Sequence, residues 1–203
     1  MRIAIAALAI LLLSGCGVTT PPPSVMSPSI PVAPTASPDP TASPSPTLPT
    51  SARVDAGLLA VLPSDVDGVA GQPDPETAAE VARDALLQGA IDAISIAIYV
   101  APRASGTSSD YAVATVVHLR PGVFSAEFYR DWRDTFDTGV CEQAGGVNTH
   151  AEASIRGRQT YIATCAGGVK THHAYLQRSD VLVSIQGVGD RRFGERIVEG
   201  LTE

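Results

Sequence analysis

Aromatic side chains are scarce in this chain, at 5% of 203 residues, and cysteine occurs only three times. With no CxxC pair and no histidine beside a cysteine, a tetrahedral zinc site of the finger type has nothing to build on. Lysine is rarer still from Arg53 onward: Lys170 stands alone, beside twelve arginines and against 20 Asp and Glu residues. That mildly acidic balance holds no basic run, the footprint a nucleic-acid binder needs, so nucleic acid is excluded as a partner. Long apolar runs are also missing. The stretch from Ile3 to Leu13 is about half the ~20 residues that a membrane-spanning helix requires, which excludes a permanent span there. No GxSxG elbow carries a nucleophile, and no Gly-rich loop follows a strand and opens a helix. Neither a serine-hydrolase nor a nucleotide signature is present, and no cofactor is implied.

The N-terminus carries the strongest positive signal. Met1 and Arg2 form a positive n-region, Ile3 to Leu13 an apolar h-region, and the small residues Ser14 and Gly15 precede Cys16. That order is what a signal peptidase needs. Leu13-Ser14-Gly15-Cys16 resembles the lipobox of bacterial lipoproteins. The resemblance implies a signal peptide over residues 1–15, a diacylglyceryl group on the Cys16 thiol, and cleavage that leaves Cys16 first in the mature chain. Two acyl chains, each CH₂ worth ~0.8 kcal/mol when buried, anchor stably where one is marginal. The expected place is the bacterial cell envelope, held to the membrane by lipid and facing the extracytoplasmic side.

Residues 16–53 read as a tether. Eleven of the sixteen prolines lie between Gly17 and Arg53, interleaved with Ser, Thr and Ala, and Asp39 is the only charge before Arg53. Such a segment buries too little apolar surface to offset its ordering entropy. Its Ser-Pro repeats favour polyproline II at ~3.1 Å per residue, a reach on the order of 100 Å.

Residues 54–203 are long enough for one domain with a real core. Cys16 being assigned to lipid, Cys141 and Cys165 form the even pair of an exported domain, most simply a disulfide. The bridge would close a loop of about 25 residues, worth about 3 kcal/mol in the chain-entropy account. Leu58, Leu59 and Leu62 suggest a short helix stopped by Pro63. Asp74-Pro75-Glu76 is a helix start, with a capping side chain, proline at the first position and an acidic first turn, and Gly89 is its stop. Ile91 to Val100 reads as a buried strand, and the alternation around Val113 to Leu119 as another. Phe124, Phe128, Trp132, Phe136 and Val140 recur at i+4, predicting an amphipathic helix with an aromatic core stripe that includes Trp132. A four-strand meander follows, turning at Arg156-Gly157, Gly167-Gly168 and Ser179-Asp180. Asp190 is the expected cap of a last helix carrying Phe193, Ile197 and Leu201. The fold class is therefore α+β: a mostly antiparallel sheet of about six strands, helices packed on it, and one disulfide. The element order over Ile91 to Leu201 is similar to that of Mog1/PsbP-like domains. This layout implies an interaction or assembly domain more often than an enzyme.

Candidate chemistry is sparse. His150 and Glu152 sit two apart, so a strand places them on one face; His173 and Tyr175 share a face of a nearby strand, with His172 on the other. His150, Glu152 and His173 could supply a zinc or copper site. The spacing is generic, and alternating polar residues on a solvent-facing sheet explain it fully. Asp65 with Asp67 falls short of a calcium loop. Asp131 and Asp134, beside Arg130 and Arg133, read as a solvated helix face. The leading expectation is a non-enzymatic module that binds an extracytoplasmic protein or small ligand. The alternative is a small hydrolase or metal-handling lipoprotein using His150, Glu152 and His173, and a concave pocket lined by two or more of those side chains would favour it.

Overall fold

A computed structural model of the chain describes residues 51–101 and 110–203. The signal segment 1–15, Cys16 and nearly all of the tether lie outside the described residues. The fold takes in the last of the stretch assigned to the tether: Ala52 is buried, and Arg53–Val54 (β1) pairs in parallel with the long strand Ile91–Val100 (β5). A 3-10 turn over Ala56–Val61 stands where a short helix is expected, started by the Asp55 carboxylate on Gly57 N–H. Asp65–Val66 (β2) and Val69–Ala70 (β3) form a separate two-stranded hairpin, and Gln72–Pro73 (β4) joins the main sheet beside β5.

The helix start at Asp74 is as the sequence expects: Asp74 caps Thr77 N–H, and Pro75 opens Pro75–Val81 (α1). The helix does not run unbroken to Gly89. Asp84 takes the Leu86 N–H at 2.9 Å and starts a second short helix, Ala85–Gln88 (α2). Strand β5 pairs with Tyr111–Leu119 (β6), which leads to the helix Ala126–Cys141 (α3), capped by Ser125. The meander is Val147–Ile155 (β7), Arg158–Cys165 (β8), Lys170–Leu176 (β9) and Val181–Val188 (β10). Phe193–Gly200 (α4) closes the chain. It begins from Arg192 at φ 56° without a side-chain cap. Asp190 is not that cap: its own N–H is bonded to Asp110.

The sheet order is β1-β5-β6-β10-β9-β8-β7, with β4 also on β5, and every pairing except β1–β5 is antiparallel. The class is α+β as expected, but the sheet has 8 strands rather than six. The two extra strands are Arg53–Val54 and Gln72–Pro73, too short to carry a period-2 pattern that sequence could reveal. One face packs Ala114, Val116, Val183, Ile185 and Leu176 against α4 and the 3-10 turn, through Phe193, Ile197 and Leu62. The other packs Ile91, Ile94, Val117, Leu119 and Leu182 against α1, α2 and α3. Cys141, at the end of α3, is bonded to Cys165, at the end of β8.

The aromatic stripe of α3 is half-buried rather than a buried core face; the fully buried residues of that helix are Asp137 and Cys141. Its aromatics nonetheless meet the sheet: Phe128 and Trp132 pack on the core, and Phe136 lies edge-on to His173 at 5.2 Å.

Candidate binding cleft

Arg130, Arg133, Asp134, Asp137 and Cys141 are separated by three or four residues, so they share one flank of α3. The disulfide turns the end of that flank toward β8. Opposite it, β-pairing sets Glu152, Tyr161, His173 and Ser184 side by side across β7, β8, β9 and β10. His150, Ala163 and Thr171 form the neighbouring row. Residues in register share a face, and both rows face α3. The space between helix and hairpin is a cleft of about 600 Å³, with Arg133, Asp137, His150, Glu152 and Tyr161 in its lining. That volume falls in the range of small-ligand sites.

Asp137 is the floor of the cleft and is 3% exposed. Its Oδ1 accepts hydrogen bonds from Thr171 Oγ1 at 2.5 Å and from His173 Nε2 at 2.9 Å. Its Oδ2 lies 3.6 Å from Nε2 of His150, whose ring is 61% exposed on the cleft wall. Burial pushes the Asp137 carboxyl up, but the His173 and Thr171 hydrogen bonds and the nearby His150 outweigh it, and the net shift is down. The carboxylate is thus held ionised inside the protein by donors aimed at it.

Behind Asp137 the hydrogen bonds run one way. Trp132 Nε1 can only donate, and it donates to Ser184 Oγ at 3.0 Å. Ser184 Oγ is 2.9 Å from His173 Nδ1, and His173 Nε2 faces the carboxylate. With the proton on Nε2, Ser184 donates to Nδ1 and every group in the chain is satisfied. Ser, His and Asp therefore meet here as in a hydrolytic triad, yet the arrangement is structural. Ser184 and His173 are each 1% exposed. The serine oxygen is already engaged by the Trp132 indole, and no nucleophile reaches the cleft from it.

Arg133 forms the upper wall. Its Nε donates to the Tyr129 carbonyl at 3.3 Å, and its guanidinium lies 3.6 Å over the Tyr161 ring. The stacking holds a long cation flat at the cleft mouth. Gln159 Nε2 donates to Tyr161 Oη at 2.9 Å and to Glu152 Oε2 at 3.2 Å, tying the two hairpin side chains together. Beside them Tyr129, with burial raising its hydroxyl well above the usual range, packs edge-on to Tyr161 at 5.5 Å. Phe124 stacks on Tyr175 at 3.6 Å.

The structure brings His150 and Glu152 to one cleft and leaves His173 behind its floor, bonded to Asp137 and Ser184. Among the described residues no group of three or more His, Cys, Asp or Glu side chains gathers as metal ligands. Arg133 and Asp134, read as part of a solvated face, line the cleft instead, while Asp131 pairs with Arg130. Asp65 caps the β2–β3 turn through Gly68 N–H, and Asp67 pairs with Arg196. Arg156 sits in the β7–β8 turn at φ 50°. Tyr175 bonds Asp180 at 2.6 Å. His172 lies on the opposite sheet face, buried with neither ring nitrogen bonded; burial first, then nearby cations, pull its pKa down to about 4. Asp137, Thr171 and Ser184 were not anticipated by sequence. One signal could have found Asp137: it lies one helical turn before Cys141, so a bridged Cys141 turns it toward the sheet.

Compared with known proteins, the chain matches no family model, no curated protein and no solved structure. Among the described residues no helix is long and apolar enough to cross a membrane.

Proposed function

We propose that this protein is a lipid-anchored, extracytoplasmic binding module whose ligand or partner engages the cleft between α3 and the β7–β8 hairpin. One observation carries the reading: a ligand-sized concavity whose Arg133 wall is pre-stacked on Tyr161 and whose Asp137 floor is pre-bonded by His173 and Thr171. Both walls are ordered before anything binds, which lowers the entropic cost of recognition. The cleft carries cationic Arg130 and Arg133 beside anionic Asp134, Asp137 and Glu152. It suits a polar ligand presenting groups of both signs. The resemblance of Leu13 to Cys16 to a lipobox, the Pro-rich stretch after it and an element order similar to that of Mog1/PsbP-like domains support an anchored interaction domain outside the cytoplasm.

A second reading follows from the same cleft, because His150 and Glu152 both line it. Asp137 Oδ2 lies 3.6 Å from the exposed His150, a proximity that suits a general base activating water, with Arg133 in the same lining to stabilise developing negative charge. The readings separate by experiment. Full chain is incubated with small-molecule extract of the cell envelope, and retained compounds are measured against Arg133→Ala and His150→Ala. Retention lost in Arg133→Ala, with the compounds recovered unchanged, supports binding. Conversion of a compound that stops in His150→Ala supports hydrolysis. Equal retention by all three proteins refutes both.

A further inference from the structure

The two edges of the sheet differ. Beyond β5 the edge is covered by β1 and β4, whereas among the described residues β7 pairs with β8 alone, and most of Val147–Ile155 is exposed. An open edge presents unpaired N–H and C=O groups as a template for another strand. Proline, lysine and a bulge are the usual protections. β7 has neither residue, and its irregularity is confined to the Val147–Thr149 end.

Which residues face outward follows from β8. Ala163 and Cys165 send their N–H groups to the far side, to Thr171 Oγ1 at 3.3 Å and Val169 O at 2.8 Å. Bonded and non-bonded pairs alternate along an antiparallel ladder. His150, the partner of Ala163, and Glu152, the partner of Tyr161, therefore direct their backbone groups to the open edge.

We propose that β7 pairs antiparallel with β7 of a second copy of this chain, about a twofold axis through Ala151. In that register His150 of each copy stands opposite Glu152 of the other, in reciprocal hydrogen-bonded pairs, with imidazole and carboxylate on the same sheet face. Asn148 then meets Ser154. Centring the axis on His150 or on Glu152 would set like against like, whereas the Ala151 register sets His150 against Glu152 twice, reciprocally, as in an isologous interface. The pairing shares His150 and Glu152 with the cleft lining, whereas Arg133 lines the cleft from α3 and takes no part in the strand pairing.

The test is a cross-link in the full mature chain. Ala151 faces its own copy across a non-bonded pair at a Cα separation of about 4.5 Å, inside the ~4.4–6.8 Å that a disulfide spans. Ala151→Cys is expected to give a covalent dimer on mild oxidation, confirmed by mass. Ala153→Cys, about 14 Å from its own copy in this register, is expected to stay monomeric. Glu152→Pro in the Ala151→Cys background removes an outward N–H and abolishes the cross-link. Glu152→Arg, which keeps every backbone group, lowers its yield about threefold or more. Circular dichroism of each variant verifies folding. Arg133→Ala leaves the yield unchanged, which separates this interface from the cleft reading. No covalent dimer from Ala151→Cys, equal yields from Ala153→Cys, or an adduct to a different protein in native envelopes overturns the proposal.

Discussion

Asp137 accepts a hydrogen bond from His173 Nε2 at 2.9 Å, joining α3 to β9 across 36 residues of chain. Both groups are buried, so the pair is a polar joint inside an otherwise apolar interface. Its partners extend it in two directions, to Ser184 and Trp132 within the core and to His150 at the cleft wall. The joint that fastens α3 to the sheet therefore also forms the cleft floor.

Removing the charge from this joint leaves buried donors with a weaker acceptor. Asp137→Asn is expected to cost about 3 kcal/mol, since the buried Thr171 hydroxyl and His173 N–H lose a charged acceptor. Thr171→Val removes one donor and keeps the carboxylate bonded by His173, so about 1 kcal/mol is expected. Urea unfolding of both variants checks the order, and an Asp137→Asn midpoint above that of Thr171→Val contradicts it.

Acid acts on two buried groups. Burial pushes the His172 pKa down to about 4 from the 6.5 of an ordinary imidazole, so between those values the unfolded chain binds the extra proton. Stability from keeping His172 neutral is full above about 6.5 and drains as pH falls toward about 4, by on the order of 3 kcal/mol in total. Asp137, its pKa depressed, adds stability that is present above the ordinary carboxylate range and is lost as pH falls through its folded value. Unfolding midpoints should decline from pH 7 to pH 4 in the wild type, and less steeply in His172→Gln. Parallel slopes refute the His172 contribution.

The Cys141–Cys165 bridge closes a loop with a separation of 24 residues. Replacing both cysteines with alanine is expected to lower stability by about 3 kcal/mol. It should also loosen the cleft, because Asp137 lies one turn from Cys141. Amide exchange over 130–141 should accelerate in the double variant; unchanged exchange there with lowered global stability would limit the bridge to the unfolded chain.

The anchor is tested by Cys16→Ser. The expected outcome is loss of acyl mass from the native product and release of the chain from membranes into the soluble fraction. Retention of residues 1–15 and no fatty modification in the wild type contradict the lipoprotein reading.

Much of the fold was legible because its long elements carry clean periodicity. Ile91–Val100 was read with the bounds it has, since a β-branched apolar run of that length between turn signals has few alternatives. The meander was legible from its turns; Arg156 and Gly157 both adopt positive φ, as a two-residue hairpin demands. β1 and β4 were illegible because two residues show no period, and they pair with β5 through tertiary placement. The α3 stripe hid the cleft: Phe124 to Val140 mark the apolar row that meets the sheet, while the buried Asp137 lies one residue beside that row and is polar. His150 and Glu152 were legible as neighbours on one face. Their relation to Asp137 was not, because it depends on a helix crossing strands far along the chain.

Cleft occupancy can be read directly in the living cell. A photoreactive amino acid placed at Thr138, on the cleft wall, and at Glu199, exposed on α4 across the sheet, reports what touches each site in full chain expressed in its native envelope. The account expects an adduct of defined mass from Thr138 that disappears with Arg133→Ala, and none from Glu199. Adducts from Glu199 alone, or an unaltered Thr138 adduct in Arg133→Ala, would contradict the cleft as the working surface of this protein.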